Sequence, residues 1–371
     1  MIGSADVVVI GGGIAGIGAA AMAAEGAKVV VLEGEAHIGH HSTGRSAAIF
    51  IRNYGNAALR ALNAASAPLL EAPDGISDRS LLSPRGELMF ATMADLPALA
   101  AYADGAAGLE HLSADEACAL VPILRRDRIA AAVLERDAQD IDVDRFLQGL
   151  ARMLRARGGV IETGAQAAAI TRVGGVWRIE TAKGVIEAPV LVNASGAWAD
   201  EVARMAGIAP IGLVPMRRSA AIIPAPQGRD ITRWPLFVPA SEGFYAKPEA
   251  GRLMISPADE DPVPPHDAWP EDMVIAEGIA RYEEAVTIPV TRVERTWAGL
   301  RSFVPDRTPV VGFAPGAATL DGPRFLWLAG QGGYGVQTAP ALSRLAADLI
   351  LGRAPALPAA VCAALDPARL A

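Results

Sequence analysis

The 371-residue sequence predicts an α/β fold with two domains. A unit of strand, glycine-rich turn and helix occurs three times, at Asp6–Glu33, Val190–Gly207 and Phe325–Ile350. Apolar and polar residues alternate within Gly158–Ala188, which is typical of antiparallel strands. Because the three units lie far apart in the chain, we expect a discontinuous domain with a second domain of mixed or antiparallel β-sheet inserted into it.

The first unit has the features of a Rossmann-like fold. Its β-branched run Asp6–Ile10 is typical of a buried parallel strand. Gly11 permits a tight turn, Gly13 lets a pyrophosphate approach the backbone, and Gly16 lets the helix pack on the strand. The Ala-rich segment Ile14–Glu25 is expected to form that helix.

The end of this unit indicates a class of ligand. Gly26 is the expected helix C-cap, and Lys28–Leu32 is the expected second strand. Glu33 follows about 20 residues after the glycines, where an acid hydrogen-bonds a ribose hydroxyl in dinucleotide-binding folds. We therefore predict a dinucleotide site here, with NAD and FAD as near rivals on these residues alone.

The other elements follow in chain order. Helices are expected near Asn56–Leu70, Ser113–Val121, Asp142–Arg157 and Asp272–Ala285. Strands are expected within Pro210–Ile223 and Gly243–Ser256, and a loop at Pro262–Glu271. We assign residues 1–84, 143–210 and 308–371 to the nucleotide-binding domain, and residues 85–142 and 211–307 to a substrate-binding domain.

Composition narrows the class of protein. Hydrophobic residues make up 51% and charged residues 20%, which is typical of a compact protein. The net charge of -8 argues against nucleic acid as a partner. Cys118 and Cys362 lie far apart, each in an Ala/Leu-rich segment expected to be helical, so we expect small buried side chains and no metal site. No signal peptide or membrane-spanning segment is expected, and a reducing, cytoplasmic location fits.

Further motifs carry a family resemblance along most of the chain. They are HSTGRSAAIFIRNYG (His41–Gly55), LLSPRGELM (Leu81–Met89), VPILRRD (Val121–Asp127), VLVNASGAW (Val190–Trp198), PMRRSA (Pro215–Ala220), FYAKP (Phe244–Pro248), RTWAGLRSF (Arg295–Phe303) and GQGGYGVQT (Gly330–Thr338). The chain resembles FAD-dependent amine oxidoreductases of the D-amino-acid oxidase family, and within it the bacterial D-arginine dehydrogenases. The resemblance implies FAD, oxidation at an amine-bearing carbon and a two-domain fold.

Two of these segments have properties that suit a flavin. Small side chains and backbone N–H groups of His41–Ala48 can border an isoalloxazine ring, with an ordinary polar loop as the alternative. Arg45 is expected either to bind the flavin pyrophosphate or to form a structural salt bridge. Gly330–Gln337 opens a helix, so its N–H groups can stabilise the negative charge of a reduced flavin, and a packing turn is the alternative.

Together, these arguments and the resemblance give a set of candidate FAD contacts. They are Gly11, Gly13, Ile14, Ala15, Gly16, Glu33, Ser42, Thr43, Arg45, Ser46, Ala47, Ala48, Ala167, Gly332, Gly333, Tyr334, Gly335, Val336 and Gln337.

Arg218 and Arg301 are the candidate substrate ligands. Two guanidinium groups suit a carboxylate, because each can offer a bidentate pair of donors. Both lie in strand-like segments with apolar neighbours, where an unpaired arginine is costly. Arg217 is the local rival of Arg218, and strand alternation directs only one of them inward. The alternative for each is an internal ion pair, and the resemblance implies that both bind a carboxylate.

The resemblance implies further substrate contacts. Tyr54 and Tyr245 match tyrosines that border the substrate, with core aromatics as the alternative. Glu87 matches a carboxylate that pairs with a cationic substrate side chain, although Arg85 is a simpler partner for it.

The chain departs from this pattern at two positions. Ile49 and Ile51 replace a histidine and a threonine of the D-arginine dehydrogenases, which predicts a drier pocket and a substrate other than arginine.

With the candidate carboxylate site, the resemblance implies oxidation of a D-amino acid to an imino acid, followed by hydrolysis to a 2-oxo acid and ammonia. Hydride transfer from a neutral amine requires positioning, and no protein base is assigned. The electron acceptor is open among a quinone, a carrier protein and oxygen. A secondary amine or a 2-hydroxy acid is the alternative substrate. A non-catalytic flavin-binding subunit is the alternative from another class.

Overall fold

A computed structural model describes residues 3–316 and 322–370. Its α-helices are α1 (Ile14–Ala23), α2 (Ala57–Glu71), α3 (Leu96–Ala103), α4 (Ala114–Leu120), α5 (Val143–Ala156), α6 (Ala199–Met205), α7 (Asp272–Ala285), α8 (Gly335–Ile350) and α9 (Ala359–Leu365). Short 3₁₀ helices lie at Arg126–Arg128, Gly196–Trp198 and Pro367–Leu370. The four predicted helices are confirmed as α2, α4, α5 and α7.

The strands are numbered in chain order. They are β1 (Gly3–Ser4), β2 (Val7–Ile10), β3 (Val29–Leu32), β4 (Ile49–Phe50), β5 (Leu82–Pro84), β6 (Glu87–Ala91), β7 (Leu109–Leu112), β8 (Ala131–Glu135), β9 (Gln139–Ile141), β10 (Val160–Glu162), β11 (Ala167–Val173), β12 (Val176–Thr181), β13 (Gly184–Ala188), β14 (Val190–Asn193), β15 (Val214–Pro224), β16 (Leu236–Pro239), β17 (Tyr245–Glu249), β18 (Arg252–Ser256), β19 (Asp261–Pro262), β20 (Arg295–Phe303), β21 (Val310–Phe313) and β22 (Arg324–Ala329).

A six-stranded sheet collects the three predicted units. Its order is β10-β3-β2-β14-β22-β21, and all neighbours are parallel except β21 against β22. In β2, Val7 and Val9 pack with the core around α1, α5 and α8, whereas Val8 and Ile10 pack into the core on the other face. Burial on both faces explains why the strand is a continuous apolar run.

The cap predicted for the first helix was wrong. Helix α1 ends at Ala23 with Ala24 as its C-cap, and Gly26 lies in the turn beyond. A Cβ atom at Gly26 would lie 3.3 Å from the side chain of Leu351, so this glycine instead accommodates the close approach of the chain after α8.

Most of the segment predicted to be antiparallel, Gly158–Ala188, forms an antiparallel sheet, but β10 at its start pairs parallel with β3. Strands β11, β12 and β13 pair antiparallel, and β1 joins β13 at the edge. The fully buried Trp177 of β12 lies in the core that this sheet shares with the parallel sheet.

A larger sheet lies in the other part of the molecule. Its path is β19-β15-β18-β17-β16-β6-β8-β7, with β20 paired to β15. All of its strands lie within residues 85–142 and 211–307. A three-stranded sheet, β4-β9-β5, joins β9 from this range to strands from residues 1–84. The mixed α/β fold class is confirmed, and the domain boundaries stay a prediction.

Sequence patterns missed helix α3 and overstated the burial of the cysteines. Leu99 is the buried residue of α3, so this helix has no apolar period to detect. Cys118 and Cys362 lie on α4 and α9 and are half-buried rather than buried, because these short helices cover the surface of the protein. None of the helices in residues 3–316 and 322–370 has the length and apolarity needed to cross a membrane.

Candidate active site

The glycine turn after β2 has little room for side chains. Gly11 has φ 109°, and a Cβ atom there would lie 2.3 Å from the carbonyl oxygen of Ala194. A Cβ atom at Gly16 would lie 2.0 Å from the carbonyl oxygen of Gly11, so Gly16 allows α1 to pack against the turn. Gly13 differs, because its added Cβ would meet only Thr43 Oγ1, at 3.3 Å, and the residue lines an open cleft.

Glu33 binds the same turn. Its carboxylate accepts hydrogen bonds from the backbone N–H of Gly12 at 2.6 Å and of Glu35 at 2.8 Å. Glu33 also lines the cleft, where its contact with a ribose stays a prediction. Glu33 thus both stabilises the glycine turn and lines the cleft.

The cleft connects distant parts of the chain. Its empty space is about 1590 Å³, open solvent included, and its lining contains Gly11 and Glu33 as well as Arg301 and Gly332. Most of the candidate FAD contacts line it: Gly11, Gly13, Ile14, Ala15, Glu33, Ser42, Thr43, Ser46, Ala167, Gly332, Gly333, Gly335 and Val336. A cleft lined by both glycine turns suits a dinucleotide bound at the first of them.

Other candidate contacts have side chains engaged elsewhere. Arg45 donates to the carbonyl oxygens of Ala268 and Ala298, and its Nη2 lies 2.5 Å from Asp267 Oδ1. Of the two roles predicted for Arg45, the structure therefore shows the structural salt bridge. Ala47 packs against the apolar cluster of Ala220, Ile222 and Met254, and Ala48 takes the positive φ of 56° that turns the chain into β4.

The turn after β22 also lines the cleft. Gly330 and Gly332 have φ values of 70° and 51°, and a Cβ atom at Gly332 would lie 2.3 Å from the ring of Phe303. Helix α8 begins at Gly335, so N–H groups of its first turn lie at the cleft. Gln331 lines the cleft too, and its buried amide nitrogen has no hydrogen-bond partner among the described residues.

Two members of this turn point away from the cleft. The hydroxyl of Tyr334 donates to the carbonyl oxygen of Arg307. The amide of Gln337 accepts from the N–H of Ile51 at 3.1 Å and donates to Asn63 at 2.8 Å. These two side chains bond to the protein rather than extend into the cleft, so the contacts predicted for them with the cofactor are not made by their side-chain polar atoms.

Strand pairing places Arg218 and Arg301 on one face of the large sheet. Met216 of β15 is opposite Arg301 of β20, and Met216 and Arg218 share a face because they are two residues apart. Gly299 is opposite Arg218, and a Cβ atom at Gly299 would lie 3.1 Å from Nη1 of Arg301. The guanidinium of Arg301 therefore lies over Gly299, beside Arg218.

Arg217 points to the other face. Its guanidinium pairs with Asp259 at 3.5 Å and Asp261 at 2.7 Å, and also with Glu271. These acids account for its charge, so the structure separates Arg217 from the candidate substrate ligands.

The two candidate arginines have different partners. Arg218 donates to the carbonyl oxygen of Asp259 at 2.8 Å and pairs with Glu260 at 2.8 Å. Arg301 is 6% exposed, and among the described residues no carboxylate lies within 4 Å of it. It donates to the backbone oxygens of Arg45 at 2.6 Å and Leu300 at 3.4 Å. Burial, with the nearby charge of Arg218, lowers the pKa of Arg301.

The two candidate tyrosines lie near these arginines. A Cβ atom at Gly333 would lie 3.9 Å from the hydroxyl of Tyr54, which places this phenol at the turn before α8. Burial raises the pKa of Tyr54 to about 12, although the charge of Arg218 opposes the shift. Tyr245 is half-buried, and Tyr245 and Ile49 both pack against the apolar cluster that includes Met89, Val133 and Val238.

Glu87 is isolated from Arg85. The guanidinium of Arg85 lies 2.7 Å from Asp140, whereas Glu87 accepts a hydrogen bond of 2.7 Å from Tyr102. Glu87 lies directly across from Glu135 in the β6–β8 pairing and is 5% exposed. Burial, followed by the charge of Glu135, raises the pKa of Glu87 to about 8.

This raised pKa predicts a pH-dependent stability. The folded chain binds the Glu87 proton more tightly than the unfolded chain, so the burial cost of this group grows as the pH rises from 4.5 to about 8. We expect Glu87→Gln to raise the free energy of unfolding relative to wild type by about 2–4 kcal/mol more at pH 8.5 than at pH 5. Urea unfolding at both pH values measures this difference, and the exposed Glu277→Gln is the control. Equal effects of Glu87→Gln at the two pH values would contradict the assignment.

Sequence reasoning missed Glu135 as a residue that holds the site. Its carboxylate accepts from the backbone N–H groups of Arg52 at 2.6 Å and Asn53 at 3.2 Å, and from the Asn53 side chain at 2.6 Å. It thereby fixes the loop that presents Tyr54. Gly299 was missed too, although a glycine inside a strand is a known sign of close approach by another group.

The expected absence of a metal site stays a prediction. Possible ligand atoms of Glu35, His40 and His41 lie within 4.8 Å of one another. The Arg45 guanidinium lies 3.4 Å from His40 Nε2, and its charge opposes a cation there. Neither Cys118 nor Cys362 lines the cleft.

Comparison with known proteins identifies the family. The model of the family described as FAD dependent oxidoreductase matches residues 6–349. The chain belongs to this family. FAD is its cofactor, and the glycine turn, the cleft and the unpartnered Gln331 amide fit such a ligand.

Individual relatives are more distant. The chain is 29% identical over 273 residues to a D-amino acid dehydrogenase of Cereibacter sphaeroides, which covers 69% of this chain and 57% of that protein. It is 26% identical over 255 residues to the mitochondrial dimethylglycine dehydrogenase of Mus musculus, which covers 62% of this chain and 28% of that protein. The chain thus spans less than two thirds of the length of either relative.

A solved structure resembles the whole fold. The L-proline dehydrogenase from P. horikoshii superposes with a TM-score of 0.83 at 23% identity, covering 100% of this chain and 98% of that one. At this identity the likeness supports the fold alone.

Proposed function

We propose that this FAD-dependent oxidoreductase oxidises a D-amino acid to its imino acid, which water hydrolyses to a 2-oxo acid and ammonia. The observation that carries the proposal is Arg301. A buried guanidinium at the end of the cleft, with no carboxylate partner among the described residues, suits the carboxylate of a substrate. When bound, FAD supplies the acceptor for a hydride from the carbon that carries the amine.

The chain's own residues hold the substrate in place. Arg301 binds the carboxylate, and Arg218 lies beside it on the same face of the sheet, where it adds only those donors that Glu260 does not engage. Tyr54 and Tyr245 form the walls around the amine-bearing carbon. The Tyr54 phenol is neutral and acts as a hydrogen-bonding wall, and burial raises its pKa further from neutral pH.

The D-configuration is supported by the similarity to the D-amino acid dehydrogenase of Cereibacter sphaeroides. A secondary amine is the second candidate substrate. The apolar Ile49, which packs against the same cluster as Tyr245, favours it, because an N-alkyl group needs apolar surface. Similarity to dimethylglycine dehydrogenase is consistent with this candidate.

Product analysis tests the proposal. Purified holoprotein with an artificial electron acceptor is incubated with D-amino acids, their L-enantiomers, 2-hydroxy acids and N-methylglycine. We expect ammonia and a 2-oxo acid in equal amounts from D-amino acids. A 2-oxo acid without ammonia, formed only from 2-hydroxy acids, would contradict the proposal, as would turnover of N-methylglycine alone.

A further inference from the structure

An acidic loop, residues 257–271, lies over the candidate substrate residues. Within it, Glu260 Oε1 lies 2.8 Å from Arg218 Nη2 and 2.8 Å from Arg307 Nη2. Asp259 anchors the loop by accepting from the N–H of Ser219 at 2.6 Å and from its hydroxyl at 2.8 Å. The loop therefore holds a carboxylate directly on one of the two candidate substrate arginines.

Through Arg307 and Phe303, Glu260 is also connected to the glycine turn before α8. The guanidinium of Arg307 stacks 3.8 Å from the ring of Phe303, and that ring packs against Gly332 in the turn before α8. The negative charge of Glu260 also contributes to the raised pKa values of Tyr54 and Tyr334, behind the larger effect of burial. Glu260, Arg218 and Tyr54 thus share one electrostatic environment.

The pairing makes the two arginines unequal. Arg218 already has an internal counter-ion, whereas Arg301 has none among the described residues. A substrate with one carboxylate satisfies Arg301 and leaves the Glu260 pair intact. A second carboxylate on the substrate would meet the charge of Glu260 and be repelled.

We propose that Glu260 is a specificity-determining residue that restricts the site to substrates with one carboxylate, by occupying Arg218 and Arg307. This inference rests on the proposed function, in which Arg301 binds the substrate carboxylate. Removing the charge of Glu260 frees Arg218, which lies beside Arg301, and also Arg307. The variant should then accept a second carboxylate.

Ligand binding to the holoprotein tests this inference. Acetate, succinate and glutarate serve as probes, and their dissociation constants are measured from changes in flavin absorbance and by calorimetry. We expect Glu260→Gln to tighten the binding of at least one dicarboxylate about tenfold, since Glu260 is partly exposed and its charge is screened. Acetate binding should change less than about threefold.

Glu242→Gln is the matched control, because this exposed acid also acts on Tyr54 but has no arginine within ion-pair distance among the described residues. The double variant Glu260→Gln/Arg218→Gln should lose the gain. Kinetic selectivity for D-glutamate over D-alanine should rise in Glu260→Gln by a similar factor.

Several results would overturn the inference. An unchanged ratio of dicarboxylate to acetate binding, or the same gain in Glu242→Gln, would do so while leaving the carboxylate site on Arg301 in place. A wild-type protein that does not bind acetate would overturn both the carboxylate site and the inference. If Glu260→Gln fails to fold, Glu260→Ala and Arg307→Gln are measured instead. The inference then requires tighter dicarboxylate binding in Glu260→Ala and no such gain in Arg307→Gln.

Discussion

Replacing Arg301 with methionine is expected to lower kcat/KM for an amino-acid substrate about 10²- to 10³-fold, which corresponds to losing one partner of a buried charge pair at about 3–4 kcal/mol. The loss should appear mainly as weaker substrate binding. The free energy of unfolding should change by only about 1–2 kcal/mol, because a buried cation without a counter-ion is itself unfavourable. Steady-state kinetics and urea unfolding measure the two quantities.

Arg295→Met is the matched control for this variant. Arg295 lies on the same strand, is exposed and does not line the cleft. The control should keep wild-type kinetics. Equal losses of kcat/KM in the two variants, or wild-type kinetics in Arg301→Met, would contradict the role given to Arg301.

Gly13→Val is expected to weaken FAD binding about 100-fold or more while leaving the apoprotein folded. The added side chain would extend into the cleft, where close approach of the cofactor to the backbone costs about 3 kcal/mol when it is blocked. Folding should survive, because only Thr43 Oγ1 lies near the new Cβ and the φ of Gly13 is -74°. Fluorescence titration of apoprotein with FAD gives the affinity, and thermal unfolding gives the stability.

Two further variants serve as controls for Gly13→Val, one expected to have no effect and one expected to lower both FAD binding and stability. Ala64→Val, on the exposed face of α2, should leave FAD binding unchanged. Gly11→Ala should reduce both FAD binding and stability, because its Cβ would clash with a backbone carbonyl and its φ is positive. Wild-type FAD affinity in Gly13→Val would show that the cofactor does not pass this glycine.

Much of the nucleotide-binding sheet can be predicted because its signals are local. The run Val7–Ile10, the glycines behind it and Glu33 lie within one short segment, and their order implies the turn and the helix. The choice between Arg217 and Arg218 is also local in part, since alternation along β15 allows only one of them on the Arg301 face.

The arrangement around the substrate arginines depends on contacts between distant segments. Glu260 is 42 residues from Arg218 in sequence, and Glu135 is 82 residues from Asn53. Neither acid belongs to a motif, so only the folded chain shows that one pairs with Arg218 and the other fixes the loop before Tyr54. For Arg45 and Gln337, the motif predicted contact with the cofactor. In the folded chain their side chains instead bond to the protein: Arg45 donates to a backbone oxygen, and Gln337 donates to the Asn63 side chain.

Anaerobic reduction of the bound flavin tests the central claim most directly. Holoprotein is mixed without oxygen with each of a panel of D-amino acids and its L-enantiomer, and the flavin absorbance is followed in time. We expect rapid loss of the oxidised flavin band with at least one D-amino acid, little change with its enantiomer, and loss of the fast phase in Arg301→Met. An oxidised band that persists with every D-amino acid while a 2-hydroxy acid or a secondary amine removes it would contradict the account.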